Sequence, residues 1–123
     1  MKNGKENFKN EFKKRLYTFT LRLIEFLDHL PKDDVSKRLA DQLLRSGTSI
    51  MANYIEGYAA SSRKDFANFF NIALKSANES KFWLCLLRDS GRVKPADIKW
   101  LLNELIEIAN IFASSILTMR GRR

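Results

Sequence analysis

QLLRSGTSIMANYIEGY, residues 42–58, decides how the chain folds. Leu43, Ile50 and Tyr54 recur at helical spacing, yet Arg45, Ser46, Thr48, Ser49, Asn53 and Glu56 run through the same turns. A helix in a small domain ordinarily separates its apolar and polar faces more cleanly. Ser46, Asn53 and Gly57 follow Leu39 and Leu43 at steps of three, four and seven, so they extend one core-facing stripe. Small residues on that stripe let a neighbouring helix approach closely. A buried Asn53 must find partners, and a satisfied polar layer fixes helix register.

Outward from this stretch, the pattern predicts three more helices. The quoted segment belongs to a helix over about 35–60, beginning at Val35. Before it, Phe8, Phe12, Leu16, Phe19, Leu23, Phe26, Leu27 and Leu30 recur at steps of three and four, which predicts a helix over 6–30. Pro31 ends that run, because the residue before proline is driven out of the helical region. Ser62 and Asp65 have capping-box spacing, with Asp in place of Glu, and open a third helix over 62–89 that Gly91 stops. Pro95 and Asp97 suit the first turn of a fourth, over 95–119, followed by a basic tail at 120–123.

No stretch alternates with period two or carries a hairpin signal. Helices of about 25 residues, at about 1.5 Å per residue, are roughly 35–40 Å long. Short connections between them favour antiparallel neighbours. The expected fold is all-α: one domain over 1–123, an antiparallel up-down-up-down four-helix bundle.

Composition narrows the function. With 45% hydrophobic residues in 123, the chain can bury a core of its own. No segment approaches twenty uninterrupted apolar residues, and MKNGKENFKNEFKKR at the start lacks an apolar h-region. The expectation is a cytoplasmic protein without a membrane span. Cys85 is the only cysteine and His29 the only histidine, too few for a structural zinc site or a ferritin-like di-iron centre. Neither a Walker loop nor a Gly-x-Ser-x-Gly elbow is present. The residues therefore predict no enzyme, no metal and no cofactor.

QLLRSGTSIMANYIEGY, followed by KDFANFFNIALKSANESKFWL, resembles the signature of the 23S rRNA intervening-sequence protein family. A branch related to that family is the accessory variability determinant of diversity-generating retroelements, which acts with a reverse transcriptase. The resemblance covers roughly residues 8–118 and is strongest over 42–84. The positions that carry it are Arg45, Ser46, Ser49, Asn53, Glu56, Gly57, Asp65, Phe66, Ala73, Glu79 and Leu84. The family's Ala-Glu-Gly is here Ile55-Glu56-Gly57. The resemblance implies a four-helix bundle assembled as a homopentamer, with nucleic acid as ligand and no defined activity.

Two groups of residues carry the functional expectation. Arg45, Ser46, Ser49, Asn53 and Glu56, met by Asn78 and Glu79 across the bundle, form a structural polar network, within the bundle or at a subunit interface, or, alternatively, a ligand site. Phe69 and Phe70 are adjacent, so one of them is expected to face a neighbouring subunit.

The second group is charge. The chain carries 22 basic and 14 acidic residues, for a formal net charge of +8. In the expected topology residues 1–15, 48–75 and 108–123 share one pole, which holds twelve of the basic and four of the acidic residues. Its candidates for nucleic-acid contact are Lys9, Lys13, Lys14, Arg15, Arg63, Lys64, Arg120, Arg122 and Arg123. Clustered charge without a base-reading motif favours contact with phosphate backbones. The aromatics sit at core spacing, which argues against a stacking platform. A scaffold that docks a partner protein such as a reverse transcriptase stands as the alternative, and a small-molecule-binding bundle as the third.

Overall fold

The computed structural model describes residues 4–121. Four helices make up the described residues: α1 Gly4–Asp28, α2 Asp34–Ala59, α3 Arg63–Asp89 and α4 Pro95–Gly121. Each lies within about two residues of its expected bounds, and no strand occurs among the described residues.

Local chemistry sets the boundaries. Asp33 caps α2, its carboxylate accepting from the Ser36 amide at 3.2 Å. The Ser62 hydroxyl accepts from the Asp65 amide at 3.1 Å and opens α3. These bonds satisfy amides that have no partner within a helix. Helix α3 ends in a Schellman motif: the Gly91 amide reaches the Arg88 carbonyl at 3.0 Å and the Arg92 amide reaches Leu87 at 3.0 Å. Gly91 has φ +79°, a conformation that costs glycine little and other residues more.

Pairs α1–α2, α2–α3, α3–α4 and α1–α4 pack together, while the diagonal pairs do not. With short connections this is the square, antiparallel, up-down-up-down bundle. Its sides are unequal. Helices α2 and α3 approach most closely, because Ser46, Gly57, Ala73, Ala77 and Ser80 are small and buried between them. A Cβ on Gly57 would stand 2.9 Å from the Phe70 ring, and one on Gly47 would stand 2.1 Å from Leu23 Cδ2 on α1. The α1–α4 side is the loosest.

The core runs the length of the bundle through Leu16, Phe19, Leu23, Leu43, Ile50, Leu84, Leu105, Ile108 and Phe112, all fully buried. Helix α4 has the length and apolar composition to cross a membrane, but its Ile98, Leu101, Leu105, Ile108, Phe112 and Ile116 lie in this core. Phe8 departs from expectation. It continues the Phe12–Leu16 stripe yet is 59% exposed, because the loose α1–α4 side opens into a cleft at this pole.

Candidate nucleic-acid interface

The pole formed by the start of α1, the α2–α3 turn and the end of α4 is closed by a cluster of aromatic rings. Phe12, Tyr54, Phe70 and Phe112 are buried and meet with centroids 5.0–6.4 Å apart, mostly edge to face. The Tyr54 hydroxyl donates to the Lys9 carbonyl at 3.2 Å, tying α2 to α1, and burial pushes its phenol well above the usual range. Phe8 stacks on Phe12, Phe66 lies tilted against Phe70, and Tyr58 meets both Phe66 and Phe70 edge to face, so three further rings extend the cluster outward. Phe8 and Tyr58 are exposed and Phe66 is half-buried. Core spacing therefore fills the core and also leaves aromatic surface at the pole, contrary to the expectation that all these rings are spent inside.

Beside these rings a cleft of about 640 Å³ opens between α1 and α4. Phe8, Tyr58, Phe66, Ile111 and Met119 give it apolar walls. Asn110, Ser114 and Thr118, one per turn of α4, supply a polar stripe, with Ser115 beside them. Lys5 lines the rim, and the Lys9 ammonium lies 4.0 Å from the centroid of the Tyr58 ring. Phe8 and Ile111 separate this cleft from a second one of about 460 Å³ nearer the bundle's middle. The four-residue polar rhythm on α4 is visible in the sequence, but the cleft it faces depends on the looseness of the α1–α4 contact.

The candidate cations divide into three groups. Lys9, Lys13, Lys14, Arg63, Lys64 and Arg120 are exposed at or near this pole. Arg122 and Arg123 lie outside the described residues. Arg15 is committed elsewhere. Its Nε and one terminal nitrogen grip the Glu104 carboxylate at 2.8 and 2.9 Å, and it also bonds Glu107. The hydrogen bonds from Arg15 hold Glu104 below the usual carboxylate range, and the same contact raises the guanidinium. Both acidic partners are some ninety residues away in sequence, so α1 alone gave no sign that Arg15 is already paired.

The polar network proves smaller than expected and differently composed. Ser46 and Ser80 share a hydrogen bond of 2.8 Å, and both are buried. Ser80 also donates to the Ser76 carbonyl, and the Ser76 hydroxyl donates to that of Ser49 at 2.9 Å. Asn53 completes the chain, its amide nitrogen donating to the Ser49 carbonyl and hydroxyl at 2.8 and 2.9 Å. Ser46, Ser49 and Asn53 thus join the layer as expected. Arg45, Glu56 and Asn78 are exposed and take no part, and Glu79 instead accepts from the Trp83 indole at 3.0 Å on its own helix. At the α2–α3 spacing only small side chains fit between the helices, which puts Ser76 and Ser80 where longer polar residues were expected. Ser80 follows Ala73 and Ala77 on one stripe, a sequence signal that could have found it.

The displaced residues occupy the outer side of the same helix pair. Helical register sets Arg45, Ala52 and Glu56 together on α2, and Ile72, Glu79 and Leu86 together on α3. Ile72, Phe82 and Leu86 are exposed there, with Leu44 and Ile55 on α2. Phe70 is buried and Phe69 half-buried.

The opposite pole is locally balanced. Arg92 donates to the Ser36 hydroxyl at 2.9 Å and pairs with Asp33, Arg88 pairs with Asp89, and Arg22 lies 4.1 Å from the Trp100 centroid. Among the described residues no three of His, Cys, Asp and Glu come together as a metal-holding group.

Residues 9–114 match the family described as 23S rRNA-intervening sequence protein. A crystal structure at 1.70 Å of a protein with unknown function, from the S23 ribosomal protein family of Bacteroides thetaiotaomicron VPI-5482, superposes with a TM-score of 0.76. It is 38% identical, over 85% of this chain and 96% of its own. No curated protein matches this chain.

Proposed function

The chain belongs to the 23S rRNA-intervening sequence protein family, and from that premise we propose that it is a non-enzymatic, self-associating bundle that binds nucleic acid through its basic pole. One observation carries this reading: Lys5, Lys9, Lys13, Lys14, Lys64 and Arg120 are all exposed toward one end of the bundle, while the rest of the chain balances ten basic residues with ten acidic ones and pairs Arg88 with Asp89 and Arg92 with Asp33. Antiparallel helices put two N-termini and two C-termini at each pole, so their dipoles largely cancel and side chains set the field there. A surface of this kind draws phosphate backbones with little regard to sequence.

Self-association adds to the effect. The exposed Ile72, Phe82 and Leu86 line the outer face of α3, where the marked residue Glu79 also emerges, and Arg45 and Glu56 are exposed on α2 beside it. A ring of five copies joined there would set five basic poles side by side. The same apolar face supports a second reading, a scaffold on which another protein, such as a reverse transcriptase, docks.

The test is a salt titration of labelled RNA and DNA oligomers. The logarithm of affinity should fall with the logarithm of salt by about 0.9 per phosphate neutralised on duplex DNA, or about 0.7 on single strands. Reversing Lys9, Lys13 and Lys14 to Glu should weaken binding and flatten the slope. Reversing Arg88, Arg92 and Lys94 at the other pole should do much less. Equal losses from both poles would defeat the polar-charge reading, and no binding by the parent at low salt would defeat nucleic-acid binding altogether.

A further inference from the structure

We propose that the cleft between α1 and α4 receives an unpaired nucleobase, so that the basic pole takes single-stranded nucleic acid in preference to duplex. This rests on the phosphate-binding reading of the same pole and adds what that reading lacks, a reason to distinguish a strand from a duplex.

The cleft combines three features that a splayed-out base requires. First, it offers aromatic surface: Phe8 is 59% and Tyr58 43% exposed, and Phe66 continues the wall. Every base has a flat face, so such rings hold bases irrespective of sequence. Second, Asn110, Ser114 and Thr118 face that wall from α4, and an amide and hydroxyls can each donate to or accept from a base edge. Third, two ammonium groups stand beside the opening, Lys5 at the rim and Lys9 against Tyr58. They can meet the phosphates that flank an inserted base. At about 640 Å³ the cleft lies within the range of small-molecule sites. Bases stacked and paired in a duplex cannot present their faces to it.

Electrostatics also gives the strand a direction. The second cleft, beyond Phe8 and Ile111, sets Glu11 and Glu104 against Lys14 and Arg15, and Arg15 is already held by carboxylates there. Its lining carries no net positive charge to draw phosphate inward. Lys64 is exposed in the first turn of α3, the helix that contributes Phe66 to the wall. The strand is therefore drawn across the pole from Lys5 past Tyr58 toward Lys64, rather than into the second cleft.

Fluorescence anisotropy of the full chain, using a labelled RNA strand, the same strand lacking its bases and a blunt duplex, tests this. The base-bearing strand should bind about tenfold or more tighter than the abasic one, since stacking favours each held base. The duplex should bind no better than the abasic strand. Phe8→Ala removes an exposed ring and Ser114→Trp fills the cleft from an exposed position, so neither disturbs the core, and melting temperature checks this. Both should erase the preference for bases and leave the salt slope near that of the parent. Equal binding of base-bearing and abasic strands with a steep salt slope would overturn the cleft proposal and leave phosphate contact standing. Absence of base discrimination together with occupation of the cleft by a long-chain fatty acid would overturn it too, and assign the cleft to an apolar acid. Failure of the parent to bind any oligomer at low salt would overturn both readings.

Discussion

The hydroxyls of Ser46 and Ser80 meet at 2.8 Å, 34 residues apart in sequence and both on buried residues, between the two helices that pack most closely in the bundle. Each also has a bond within its own helix, Ser46 to the Leu43 carbonyl and Ser80 to that of Ser76. Neither hydroxyl is therefore orphaned when the other is removed. Ser80→Ala should cost only about 1 kcal/mol. Ser80→Leu should cost more, about 1–3 kcal/mol, because the added carbons must force α2 and α3 apart. Urea denaturation orders the two. A leucine tolerated better than alanine would show that spacing, not hydrogen bonding, is negotiable here.

Gly47 and Leu23 make the equivalent point between α1 and α2. Alanine is the better helix former by about 1 kcal/mol, so Gly47→Ala would stabilise an isolated helix. Here the new methyl would fall 2.1 Å from Leu23 Cδ2, in a side chain that is fully buried. Net destabilisation of about 1–3 kcal/mol is expected from the overpacking. Leu23→Ala in the Gly47→Ala background should then cost measurably less than in the parent, and additive losses in a double-mutant cycle would refute the clash.

Arg15 and Glu104 should couple by about 1 kcal/mol, more than a typical exposed pair, because the contact is bidentate and partly shielded. Glu104 titrates lower in the folded chain than its ordinary value of 4.5. The unfolded chain therefore takes up the proton first, and the pair's contribution is complete at neutral pH and lost as acid titrates Glu104 below 4.5. The stability difference between parent and Glu104→Gln should shrink in that acid range. Arg15→Gln should lower oligomer affinity at neutral pH less than Lys13→Gln does, since the guanidinium is already held by carboxylates and the exposed ammonium is not.

Assembly can be read from mass. On the proposed pentamer, light scattering should give about five times the chain mass of 14.3 kDa. Phe82 is 55% exposed, so Phe82→Asp leaves the core intact and should return the protein to a monomer with its helical spectrum unchanged. A parent that stays monomeric at micromolar concentration refutes the assembly.

Reading from sequence to structure, the helices themselves were legible. Leu16, Phe19 and Leu23 on α1, like Leu101, Leu105, Ile108 and Phe112 on α4, repeat at a period that only a helix buries on one side. Pro31, Ser62 and Gly91 mark ends through backbone chemistry that acts within a few residues. Such local constraints also fixed the topology, since short turns leave long helices no choice but to reverse. Residues 42–58 announced small polar groups on a core stripe, and Ser46, Ser49 and Asn53 do occupy the polar layer.

Partner choice was beyond the sequence. Whether Ser80 or Asn78 completes the layer depends on an interhelical distance that Gly57, Ala73 and Ala77 set jointly from two helices. Arg15 looked like the cations around it until α4 brought Glu104 and Glu107 alongside. Phe8 kept the spacing of a core residue, but burial needs a second surface, and at the loose α1–α4 pole none closes over it. Period and capping are properties of one segment, whereas burial and charge pairing are properties of two, and only the folded chain determines which two meet.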